Sequence, residues 1–133
     1  MFSTKRVSDL SQNNSIIAIV DDDQAVREAT ETLVRSMGYS ASTFASADEF
    51  LTSEQVHDTS CVISDLHMPG LSGFELQDWL IARGHRIPII FITANSDENV
   101  RIRALKAGAV GFLNKPYSED HLLGYLDKAL KAA

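Results

Sequence analysis

Cysteine is nearly absent from this sequence: Cys61 is the single one in 133 residues. No disulfide can form within the chain, so stability must come from a packed core, which suits a reducing, cytoplasmic setting. Long apolar runs are missing too. The longest, Ile16–Val20 and Ile87–Ile92, fall far short of the ~18 residues a membrane span needs. Met1–Ser15 contains no apolar stretch of signal-peptide type. Positive charge is in the minority, with Lys+Arg 12 against Asp+Glu 18 and a net charge of −6. That balance argues against nucleic acid as a direct partner, because phosphate backbones need a basic surface. No Gly-x-Gly-x-x-Gly or Walker-type loop is found. His57, His67, His85 and His121, with Cys61, lack the spacing of a zinc site, and no internal repeat is visible.

What is present describes one folded unit. Hydrophobic residues make up 44% of the chain and charged residues 23%, which are ordinary proportions for a globular domain. At this length folding buries about two-thirds of the chain's surface, enough for a core without metal staples. The polar stretch of residues 1–15 reads as a flexible N-terminal arm, leaving 16–132 as the domain.

Short apolar runs then alternate with helical patterns. Strands are predicted at Ile16–Val20, Ala41–Phe44, Cys61–Ser64, Pro88–Ile92 and Val110–Leu113. Helical spacing runs from Gln24 to Met37, with Gly38 as its stop. Ser46-Ala-Asp-Glu49 reads as a capping-box start of a short helix ending near Ser53. Gly73 opens a helix with Phe74, Leu76, Leu80 and Ile81 inward and Gly84 as its stop. Asp97 caps one that places Val100, Ala104 and Ala107 on a stripe, and Ser118 caps a last one with Leu122, Leu126, Ala129 and Leu130 inward. Gly124 inside that helix costs about 1 kcal/mol against Ala. Five continuous apolar strands alternating with five amphipathic helices make an α/β fold, a parallel sheet covered on both faces.

Ligands of such sheets bind beyond the carboxyl ends of the strands. Asp21, Asp22 and Asp23 follow the first strand, Asp65 the third, Thr93 ends the fourth and Lys115 follows the fifth. Each has an ordinary reading alone: Asp23 as a helix N-cap, Asp65 before Met68-Pro69-Gly70 as a turn residue, Lys115 as a solvated lysine. Their convergence on one edge favours a site. Clustered carboxylates repel unless a cation sits among them, and a hard divalent cation such as Mg²⁺ suits one or two carboxylates plus a phosphate oxygen. A carboxylate can also attack phosphorus. Asp21 and Asp22 for the metal, Asp65 as nucleophile, and Thr93 and Lys115 for the phosphoryl oxygens complete a phosphoryl-acceptor site.

Ile19-Val20-Asp21-Asp22-Asp23, Asp65-Leu66-His67-Met68-Pro69-Gly70, Phe91-Ile92-Thr93-Ala94 and Lys115-Pro116, in this order, resemble the receiver domain of a two-component response regulator. The likeness is to receivers of the nitrogen-fixation and nitrate-response type. It implies a flavodoxin-like sheet of strand order 2-1-3-4-5 with five helices on both faces, Asp65 as the phosphorylated residue, and Mg²⁺ held by Asp22, Asp65 and the backbone carbonyl of His67, with Asp21 acting through water. It further implies Thr93 and Phe112 as the switch pair, Lys115 as the phosphate contact before a cis proline bond, and Ala94 as the small neighbour. His67 and Asn95 stand where such receivers vary and tune phosphate lifetime. The implied phosphodonor is a histidine kinase or phosphotransfer protein. The output lies on another chain or on an effector domain beyond residue 133, and a homodimer formed on phosphorylation is also compatible. The Lys131-Ala-Ala end leans toward a stand-alone receiver.

Two other classes share part of this pattern. A haloacid-dehalogenase-type phosphatase also uses an Asp nucleophile with Mg²⁺, but needs a second Asp where His67 stands. A receiver-shaped binding module working without phosphorylation would not need the acidic site to be intact.

Overall fold

The computed structural model describes residues 15–94 and 97–131. The proposed arm, Asn95 and the last two residues therefore lie outside the described residues, apart from Ser15. Strands β1 (Ile16–Val20), β2 (Ser40–Phe44), β3 (Thr59–Asp65), β4 (Ile89–Thr93) and β5 (Gly111–Asn114) alternate with helices α1 (Gln24–Ser36), α2 (Ala47–Leu51), α3 (Gly73–Ala82), α4 (Glu98–Lys106) and α5 (Glu119–Lys131). The strands form one sheet in the order β2-β1-β3-β4-β5, with every pairing parallel. Parallel strands bring all five carboxyl ends to one edge.

Successive side chains of a strand point to opposite faces, and here each face has its own core. Ala18, Val20, Val62 and Phe91 pack with Phe50, Leu76, Leu80 and Ala104 from α2, α3 and α4. Ile17, Ile19, Ile63, Ile90 and Ile92 pack with Val34, Leu122, Leu126 and Ala129 from α1 and α5. The helices therefore divide three to one face and two to the other. Cys61 belongs to the second core and is fully buried, and burial pushes its thiol up to about 12. Only thiolate reacts at a useful rate. The folded protein is thus expected to resist iodoacetamide at pH 8 and to be alkylated once unfolded in urea. Rapid labelling of the native chain would contradict that burial.

Helix ends follow local chemistry. Asp23 caps α1 by accepting from the Val26 N–H, so its ordinary reading was the right one. Gly38, Gly84 and Gly108 take positive φ of 97, 77 and 101°. Each closes its helix with paired backbone bonds, for example Gly38 N to Arg35 O and Tyr39 N to Val34 O.

Four expectations need correction. Ile81 is 61% exposed: the buried residues of α3 are Gly73, Leu76, Gln77 and Leu80, and Ile81, although four residues on from Gln77, stands in the last turn, where that burial ends. Ala107 is exposed and is the C-cap of α4 rather than part of its inner stripe. At Ser46 only half of the box forms: Ser46 accepts from Glu49 N, but the Glu49 carboxylate accepts from Ala45 N instead of returning to Ser46. The reciprocal box forms at Ser72 and Glu75, at the start of α3. A 3₁₀ turn at Glu54–Asp58 and the two polar residues that begin β3 went unread, since neither shows an apolar period.

Candidate functional site

The first contact at the sheet edge is made by β1. Asp21, directly after Val20, is fully buried; its Oδ1 accepts from the Asp23 N–H at 2.9 Å, and its backbone carbonyl accepts from the Arg27 guanidinium at 2.7 Å. Asp22 beside it is exposed. On the neighbouring strand, Asp65 ends β3 with little exposure and its Oδ1 accepts from the His67 N–H at 3.1 Å. One carboxylate oxygen from each of Asp21, Asp22 and Asp65 lies within 4.8 Å of the other two.

Lys115 answers this negative charge from the end of β5. Its Nζ donates to Asp65 Oδ2 at 3.0 Å and lies 3.2 Å from Asp21 Oδ2. The second contact has ion-pair distance but not hydrogen-bond alignment, so Asp21 Oδ2 is a buried oxygen with no hydrogen-bond partner among the described residues. Burial raises the Asp21 carboxyl above the usual carboxylate value, while the Asp23 N–H and Lys115 pull it back. For Lys115 burial opposes the charge, but the hydrogen bond to Asp65 and the attraction of both carboxylates outweigh it, and its pKa is raised.

Among the described residues, Lys115 is the one cation at this oxygen and it serves two carboxylates, so three clustered acids face a single positive charge. The donor set is all oxygen, partly open through Asp22, and anionic. That chemistry fits a hard divalent ion and not a soft one.

Thr93 is fully buried at the end of β4. Asp65 pairs with Ile92, which puts Thr93 one residue beyond the acidic strand end. The Thr93 carbonyl accepts from Lys115 N at 2.9 Å, so the two residues share a backbone link. Phe112 is buried in the same half-core as Phe91, with its strand paired to β4. His67 is exposed, and the Lys115–Pro116 peptide is cis. Asp21, Asp22, Asp65, His67, Thr93 and Lys115 thus stand at or beside one strand edge; Phe112 lies within the core leading to it, and Asn95 is outside the described residues.

Two contributors were not anticipated. Arg27 reaches back from α1 to the Asp21 carbonyl, a link that no local pattern announces. Gly73 is the other: a Cβ there would lie 2.7 Å from the Asp65 carbonyl oxygen and 3.0 Å from the Phe91 ring. Only glycine lets α3 start against the strand end that carries Asp65.

Comparison with known proteins agrees with this arrangement. Residues 17–127 match the family model described as response regulator receiver domain. The response regulator protein TodT of Pseudomonas putida is 45% identical over 93% of this chain and 55% of its own length. The chain spans about half the length of the curated relatives it matches. Among solved structures, response regulator StyR superposes with a TM-score of 0.82 at 42% identity, covering 90% of this chain and 60% of that one. FixJ-N follows at 0.80 and 30%, covering 90% and 95%. With the fold, the acidic edge and these matches in agreement, the chain belongs to the response regulator receiver domain family.

Proposed function

We propose that Asp65 accepts a phosphoryl group from a histidine kinase or phosphotransfer protein, with residues 16–132 acting as the receiver unit. The observation that carries this reading is the pairing of Asp65 with Lys115 at 3.0 Å beside a buried, donor-less Asp21 oxygen. Asp21, Asp22, Asp65 and the backbone carbonyl of His67 are the groups that would hold Mg²⁺. Bound there, the ion would neutralise charge on the transferring phosphoryl group.

The chain's own groups do the rest. An Asp65 carboxylate oxygen forms the new O–P bond as the donor's N–P bond breaks, and the electron pair leaves with the imidazole nitrogen, which takes up a proton. Lys115, paired with Asp65 at 3.0 Å, offsets the added negative charge with its ammonium group. Thr93 would turn its hydroxyl to a phosphoryl oxygen, and Phe112, on the strand paired to β4, would carry that change to the face formed by α4, β5 and α5. Self-catalysed loss of the phosphoryl group, a cytoplasmic location, a homodimer formed on phosphorylation, and an output partner or effector domain belong to the same reading. Among the described residues, no helix is long and apolar enough to cross a membrane.

The test uses acetyl phosphate and Mg²⁺ with intact-mass detection. One phosphoryl adduct is expected, lost when EDTA removes the metal. An unchanged mass with Mg²⁺ present would refute the reading.

A further inference from the structure

Thr30 is a fully buried hydroxyl in the middle of α1, and its Oγ1 shares a 2.8 Å hydrogen bond with the Tyr117 hydroxyl, 87 residues away. The two groups line an open surface groove together with Val26, Ala29, Lys115 and Pro116. A polar link inside an apolar wall fixes direction in a way that the neighbouring methyl groups cannot, because hydrogen bonds are directional and apolar contact is not.

Tyr117 stands two residues after Lys115. On its other side, Lys115 is fixed by its own N–H to the Thr93 carbonyl at 2.9 Å. The backbone that carries the lysine is therefore anchored twice, to β4 before it and to α1 after it. Between the anchors lie only Lys115 and Pro116. The long side chain must still place one Nζ within 3.0 Å of Asp65 and 3.2 Å of Asp21, a demand that a loosened loop would not meet.

We infer that Thr30 and Tyr117 are positioning residues for the phosphoryl-acceptor site: their hydrogen bond latches the segment after β5 to α1 and so holds Lys115 on Asp65. This rests on Asp65 being the acceptor. It also makes α1 part of the machinery that sets the acceptance rate, although no α1 side chain belongs to the proposed metal or phosphoryl contacts.

The experiment compares wild type with Thr30→Val, Tyr117→Phe, the T30V/Y117F double variant and Thr30→Ser. Phosphorylation by acetyl phosphate is timed by intact mass at saturating Mg²⁺, and urea unfolding is measured on each protein. Both single variants are expected to accept phosphate roughly tenfold more slowly, well within the hundredfold that a 1 Å misplacement can cost. The double variant should be no slower than either single one, since one bond is lost in all three. Its stability should recover toward wild type, because two apolar groups can replace a hydrogen-bonded pair at little cost, while its rate stays low. Thr30→Ser keeps the hydroxyl and should restore the rate.

Three results would overturn the inference. Single variants as fast as wild type would show that the bond does not place Lys115. A rate that recovers together with stability in the double variant would show a purely structural role. A wild type that takes no phosphate would remove the acceptor reading and this inference with it, whereas labelled wild type with unaltered variants removes the inference alone.

Discussion

Replacing Asp65 by Asn is expected to give a folded protein that takes up no phosphoryl group at all, whatever the donor or Mg²⁺ concentration. The amide nitrogen has its lone pair delocalised and the amide oxygen carries no full charge, so the nucleophile is gone. The shape is kept. The Asn oxygen can still accept from the His67 N–H, the partner of Asp65 Oδ1; the amide NH₂ that replaces Oδ2 cannot accept from Lys115, so that bond is lost. One negative charge also leaves a cluster in which three carboxylates repel. Stability is therefore expected to stay within about 1 kcal/mol of wild type. Intact mass after incubation with acetyl phosphate checks the first point and urea unfolding the second. A wild-type yield of adduct on the variant would move the acceptor to another residue.

Phe91→Ala is expected to cause the largest loss of stability of any change considered, about 3–5 kcal/mol. Phe91 has no exposure, sits in the central part of β4 with strands on both sides, and its ring centroid is 5.4 Å from that of Phe74. Its ring also bounds the space that Gly73 must leave empty. Truncation opens a void that the flanking strands cannot collapse into, since their backbone ladders hold them apart. Domains of this kind have only about 5–15 kcal/mol in total, so the variant would stand near the limit of folding. Ile81→Ala is the control: the side chain is 61% exposed, and a change of about 0.5 kcal/mol or less is expected. Equal urea midpoints for the two variants would contradict the core assignment.

Much of this was legible before any coordinates. The strands announce themselves as continuous apolar runs because both faces of a parallel sheet are covered, and the site announces itself because Asp21, Asp65, Thr93 and Lys115 each stand at or just past such a run. Glycine stops at Gly38, Gly84 and Gly108 were readable for a similar reason, since few other residues take positive φ without strain. The parts that escaped depend on distance through space. Ile81 looks like a core residue until the axis of α3 is known, because apolar spacing alone does not say where the buried stripe ends. The box at Ser72 and Glu75 is hidden in the sequence by Gly73, which reads as the helix start. Thr30 and Tyr117 carry no shared pattern; a 2.8 Å bond across 87 residues exists only once β1, β3, β4 and β5 have lined up between them.

The three helix-ending glycines have a practical consequence. Parallel topology puts Gly38, Gly84 and Gly108 at the sheet edge opposite the acidic cluster, and a Cβ at Gly84 or Gly108 would meet nothing within 4 Å. Turns with open space around them are where added chain does least harm. A fluorescent reporter or a surface tether spliced in after Arg86, an exposed residue just past the turn that Gly84 closes, would hang from the blind side of the sheet, leaving the acidic edge free. With Asp65 as the proposed acceptor, that would make this small domain a convenient chassis for a sensor.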